Sequence, residues 1–129
     1  MKSMRGLYKH QKSGRLYRVL FTGHWDSRAP EDNEEIFVVC DRNNQILCFA
    51  PHNYGKAQKP GGPYALLFMA NWSGNDDKVA PREEVVVYVA LYDAGRLSVR
   101  SKREFNEEVE FGNNQRGRRF VPVEGETDV

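Results

Sequence analysis

A chain of 129 residues is one domain's worth of sequence, long enough to bury about two-thirds of the surface its unfolded form exposes. With 40% hydrophobic and 29% charged residues it has the composition of a folded protein with a well-solvated surface, which excludes disorder along its whole length. A formal net charge of +1 excludes a general pull toward nucleic acid or anionic membrane, and no stretch is apolar over the length of a membrane span.

The charge is unevenly placed. Residues 1–18 carry Lys2, Arg5, Lys9, Lys12, Arg15 and Arg18 with no carboxylate, while Glu31, Asp32, Glu34 and Glu35 form an acidic run. Met1 to Arg5 lead into polar sequence without an apolar stretch, so a secretory leader is not expected and a cytoplasmic home is. Cys40 and Cys48 are too few for a disulfide framework and read as reduced core thiols.

The first apolar run, Leu16 to Thr22, follows a Ser13-Gly14 turn and alternates, with Tyr17, Val19 and Phe21 on one face of a half-buried strand. Trp25 ends that run and opens a polar loop holding His24, Asp26 and Ser27. Ile36 to Cys40 and Gln45 to Phe49 flank Asp41 to Asn44, and Asn tolerates the left-handed backbone of a tight turn, so a hairpin is expected with its two cysteines near each other. Pro51 to Pro63 is turn-rich and reads as a surface loop. Tyr64 to Trp72 is apolar, and Glu84 to Tyr92 leaves so little room for a wet face that it should be a central strand covered on both sides.

Arg96 to Arg100 and Arg118 to Val123 supply further strands, Lys102 to Glu108 allows one helical turn, and residues 124–129 should be a flexible tail. The expectation is a single domain, mostly β, with at most one short helical turn.

Among chemistry-bearing residues, His10 and Lys12 sit in the basic opening beside Tyr8 and Tyr17. A Lys, an imidazole and two phenols together can grip a phosphate, a nucleotide or an acidic peptide; equally, the tyrosines can plug a core while the charges stay solvated. His24, Asp26 and Ser27 have the residue types of a hydrolytic triad, but neighbours in sequence do not converge on one point, so no catalytic residue is assigned. Arg100 can clamp an anion or pair with Glu104, Glu107 or Glu108. Cys40, Cys48, His24 and His52 lack the spacings of a zinc site, so neither a metal nor a cofactor is expected. Trp25 and Trp72 each end an apolar run, as core plugs or as stacking platforms.

The segment Tyr8-Lys9-His10-Gln11-Lys12-Ser13-Gly14-Arg15-Leu16-Tyr17-Arg18-Val19 resembles the opening of the family catalogued as domain of unknown function 1653, small bacterial and phage proteins. Glu84, Val86-Val87-Tyr88, Leu91-Tyr92, Leu97, Val99-Arg100, Phe105, Glu108-Val109 and Arg119-Phe120 resemble its second half. The family's Trp before and Pro after the Val-Arg pair are replaced by Ser98 and Ser101, and residues 28–82 stand as a long insertion between the blocks 8–27 and 83–122.

The resemblance implies a small SH3-like barrel, here enlarged by an inserted β hairpin and long loop, with the shared blocks building the barrel. It implies no reaction. The functional expectation is therefore a non-catalytic binding module for a small anionic, nucleotide-like or phosphate-bearing ligand or a protein partner. Its binding residues would be Tyr8, His10, Lys12, Tyr17, His24, Ser27, Tyr88 and Arg100. The alternatives are a phage-type interaction protein that sequesters a nucleotide signal or blocks a host enzyme, and a nucleotide-processing enzyme with a His base. Nucleic acid would bind weakly through the basic opening, no membrane is expected as a partner, and a homodimer would be unsurprising.

Overall fold

The computed structural model describes residues 6–28, 36–51, 68–74, 79–92, 96–110, 112 and 114–123. In chain order these form β1 (Gly6–His10), β2 (Leu16–Arg28), β3 (Ile36–Cys40), β4 (Ile46–Phe49), β5 (Ala70–Trp72), β6 (Glu84–Ala90), β7 (Leu97–Ser101), α1 (Lys102–Phe105), β8 (Glu108–Glu110), β9 (Arg116–Arg118) and β10 (Phe120–Pro122). No helix among the described residues is long and apolar enough to cross a membrane. The expected loop at Pro51 to Pro63 and the tail fall largely or wholly outside the described residues.

β6 is the strand its unbroken valines predict. It lies between β2 and β7, and Val85, Val86 and Val87 have no exposed surface. Burying each contributes roughly 1.5–3 kcal/mol, and burial on both faces is why the run shows no polar alternation.

The molecule is organised by β2, whose 13 residues pair with β6 on one edge and, on the other, with β1 at its start and β3 at its end. Leu20 is the extra residue of a bulge: Val19 faces Tyr88, but Phe21 already faces Val87. An extra residue reverses the alternation of side chains beyond it. Tyr17 and Val19 consequently join one core cluster, while Phe21 and Trp25 point into another. The expectation that Tyr17, Val19 and Phe21 share a face is corrected by this bulge. His24 to Ser27, expected in a loop, continue the strand.

The strands curl into a small barrel. Its walls run β2, β3, β4, β5, β7, β6 and back to β2. Closure between β4 and β5 is a single parallel bridge, Phe49 to Met69, with the Phe49 N–H donating to the Phe68 carbonyl at 2.7 Å. Trp25, Val39, Cys48, Ala70, Trp72, Val85, Val87 and Val99 fill the interior. Both tryptophans are thus core plugs, Trp25 stacked on Phe37 at 5.3 Å and edge-on to Trp72 at 5.8 Å.

The hairpin of β3 and β4 forms where Asn44 takes a φ of 62°, as its turn sequence predicts. It is no appendage, however. β3, β4 and β5 all come from the stretch between the two resembling blocks and supply half of the barrel's six walls. The shared blocks alone cannot close it.

Outside the barrel wall, β1 and β10 extend the sheet from the first half of β2. Phe105, on the single turn of α1, packs with Tyr8, Val19, Val86, Tyr88 and Phe120 into a second core. The β8–β9 hairpin, unseen in the sequence, pairs Glu108 with Arg118 and Glu110 with Arg116, opposite charges that stabilise a cross-strand pair.

Candidate functional site

Residues far apart in sequence meet on the outer face of the sheet where β1, β2, β6 and β10 lie side by side. Tyr8 stands opposite Tyr17, and His10 opposite Phe120. The Tyr17 ring is edge-on to Tyr88 at 5.6 Å, to Phe120 at 5.4 Å and to Tyr92 at 5.6 Å. Below them Phe105 and Phe120 stack in parallel at 4.2 Å. Such contacts add about 0.5–1.5 kcal/mol per pair beyond the area buried, so this is a rigid aromatic floor.

His10 forms the rim of that floor, edge-on to Phe120 at 5.1 Å. Its Nδ1 accepts the Ser13 N–H at 3.3 Å and lies 3.0 Å from the Ser13 hydroxyl, which leaves Nε2 to carry the ring proton. Burial, then the charges of Arg100, Arg119 and Lys12, lower its pKa from 6.5. His10 is therefore a neutral donor in a positive field. Lys12 is exposed on the adjoining turn, and the Arg15 guanidinium lies 4.4 Å from the centre of the Tyr92 ring. The hydroxyls of Tyr17 and Tyr92 are 2.7 Å apart; burial and that hydrogen bond raise the pKa of Tyr17.

Arg100 reaches the same face but is already engaged. It donates to the Tyr88 hydroxyl at 3.3 Å, to Glu104 Oε1 at 3.0 Å and to the Ser73 carbonyl at 3.2 Å. Its side chain is only 11% exposed. Of the two sequence readings, the Glu104 ion pair is the one the geometry realises, and Arg100 contributes field and support for Tyr88.

Tyr8, His10, Lys12, Tyr17, Tyr88 and Arg100 are thus brought together, while His24 and Ser27 are not. Ser27 is exposed at the far end of β2, its N–H held by Asp26 Oδ1 at 2.9 Å. Arg15, Tyr92, Arg119 and Phe120 belong to the assembled face and were missed as site residues. Their sequence signal is that Arg15 lies in the family-like opening and Tyr92 and Arg119-Phe120 in the second block.

His24 has other company. It stands opposite Cys40 across β2 and β3, and with Asp26 these form the group whose His, Cys and carboxylate atoms all lie within 4.8 Å of one another. The Cys40 thiol is fully buried and pushed up in pKa, chiefly by that burial, so it is a poor nucleophile. Cys48 belongs to the barrel interior and Cys40 to the cluster on the other face of the hairpin; the two stay close enough across the turn for Cys40 to add to the rise in the Cys48 pKa. His52 lies outside the described residues.

Residues 74–122 match the family model of a protein of unknown function, DUF1653. This is the family the sequence resembles. The match begins inside the stretch read as insertion and runs to the end of β10, taking in Tyr88, Tyr92, Arg100, Arg119 and Phe120 of the assembled face. β1 and β2, with Tyr8, His10, Lys12 and Tyr17, lie outside it. No curated protein and no solved structure matches the chain.

Proposed function

We propose that this protein is a non-catalytic binding module for an anionic ligand, phosphate-bearing or nucleotide-like, met at the His10 rim. The observation that carries the reading is the convergence of Lys12, Arg15 and Arg119, the last ion-paired with Glu107 at 3.6 Å, around a neutral histidine donor and the ring of Tyr92, which is 53% exposed. Cations attract the phosphate, Nε2–H of His10 offers it a hydrogen bond, and the Arg15 guanidinium lying over the exposed Tyr92 ring presents a plane on which a base stacks. The hydroxyl beside His10, Ser13 Oγ at 3.0 Å from Nδ1, also accepts the Arg15 N–H at 3.3 Å and so serves the turn between β1 and β2, which supports binding over turnover. A cytoplasmic setting in a bacterium or phage belongs to the same reading.

The test is calorimetric titration of inorganic phosphate and of nucleoside mono-, di- and triphosphates into the wild-type chain and a K12E/R15E variant. Binding that weakens with salt, and at least tenfold more in the variant with an unchanged unfolding midpoint, is the expected result. A tenfold loss is about 1.4 kcal/mol. Absence of binding to wild type, or equal affinity in the variant, refutes the reading. Nucleotides recovered chemically altered would favour an enzyme instead.

A further inference from the structure

We propose that His24, Asp26 and Cys40 form a binding site for zinc or a chemically similar divalent ion, at the opposite end of β2 from the His10 rim. The fold creates the site, because antiparallel pairing sets His24 directly across from Cys40 and Asp26 lies two residues along the same face of β2. A tetrahedral zinc ion with bonds of about 2.0–2.3 Å spaces its ligand atoms about 3.3–3.8 Å apart, so donors within 4.8 Å close on the ion by small side-chain rotations. Imidazole, thiolate and carboxylate together suit zinc or cobalt rather than magnesium or calcium.

Two further observations point to a cation here. His24 Nε2 is buried and has no hydrogen-bond partner, although a buried polar nitrogen ordinarily finds one. Arg28 also shows where positive charge is favoured: its Nε lies 3.4 Å from Asp26 Oδ2, and its Nη2 donates to Cys40 Sγ at 3.4 Å. That guanidinium satisfies the site incompletely, since its Nε is buried without a hydrogen bond and its side chain is 33% exposed. A divalent ion binds the same atoms more tightly and displaces it toward solvent, where the Asn44 carbonyl, 3.1 Å from Nη2, remains within reach. On binding, the Cys40 thiol releases its proton to solvent, and thiolate plus carboxylate balance the ion's two charges. Three protein ligands leave a fourth position for water.

The experiment is titration of the reduced, metal-free chain with Co2+, followed by back-titration with Zn2+. One equivalent of cobalt should give the visible bands of a tetrahedral ion and a thiolate-to-cobalt charge-transfer band, both abolished by zinc. C48A should keep them, and C40S should lose the charge-transfer band. H24Q and D26N should each bind at least tenfold more weakly, while R28Q, freed of the competing cation, should bind more tightly. Only the spectrum of hydrated cobalt with wild type, or a charge-transfer band surviving in C40S, overturns the proposal. Unchanged affinity in the folded D26N and H24Q chains overturns it equally.

Discussion

Phe120 is 1% exposed, stacked on Phe105 and edge-on to His10 and Tyr17, so a single side chain ties the second core to the rim of the candidate site. Phe120→Ala should cost about 3–5 kcal/mol, read as a lower midpoint in urea unfolding. His10 makes a different prediction. Its folded pKa lies below the 6.5 of the unfolded chain, so between those two values the unfolded state binds more protons. The stability it contributes is therefore complete above 6.5 and declines as pH falls toward the folded pKa. Proton NMR should place the His10 midpoint below 6.5, and His10→Gln should flatten the acid side of the stability profile. Cys48 is pushed up to about 12 by burial, so it should resist thiol reagents at pH 8 until the chain unfolds. The meeting of Tyr8, His10 and Tyr17 was readable because they cluster in the chain. The pairing of Arg100 with Glu104 was readable as well, but its bonds to Tyr88 and Ser73 were not, because those residues reach it from distant parts of the chain.

At the level of elements, the bulge in β2 decides which residues see which core. Deleting Leu20 should restore simple alternation and turn either Tyr17 and Val19 or Phe21 and Trp25 away from their clusters; loss of near-ultraviolet circular dichroism would report it. Gly23 lies where β2 crosses close to β3: a Cβ there would stand 2.5 Å from the Cys40 carbonyl oxygen. Gly23→Ala should therefore cost about 1–3 kcal/mol in chemical denaturation, as overpacking does. β6, the β3–β4 hairpin and the turn of α1 were legible because each carries its own signal: a valine run, an asparagine turn, a stretch free of Gly and Pro. β1 was not, since its five residues have no apolar alternation of their own and become a strand by pairing with β2 and β10.

For the whole molecule, the barrel closes only through strands drawn from the stretch between the two family-like blocks. A hairpin deletion spanning Ile36 to Phe49 would remove two of the six walls and take Val39 and Cys48 out of the core cluster that holds Trp25 and Trp72. Such a chain should lose its cooperative thermal transition rather than survive as a trimmed barrel, which a calorimetric melt would show. The two candidate sites occupy opposite ends of β2, so variants at the His24 end should leave ligand affinity at the His10 rim unchanged.

Sequence alone determined that this is a single-domain-sized, mostly β chain, that Val85 to Val87 lie in its centre, that a turn stands at Asn44, and that Tyr8, His10 and Tyr17 come from one short stretch. These follow from local preferences, which act over a few residues: burial of apolar runs, the backbone of Asn and Gly, the period of a strand. Tertiary structure decided the rest: the phase change at Leu20, the bonds of Arg100 to Tyr88 and Ser73, the placing of Cys40 and Cys48 in different core clusters and the meeting of His24 with Cys40. Each depends on the register between strands distant in the chain, and a slip of one residue would send every side chain of a strand to the other face.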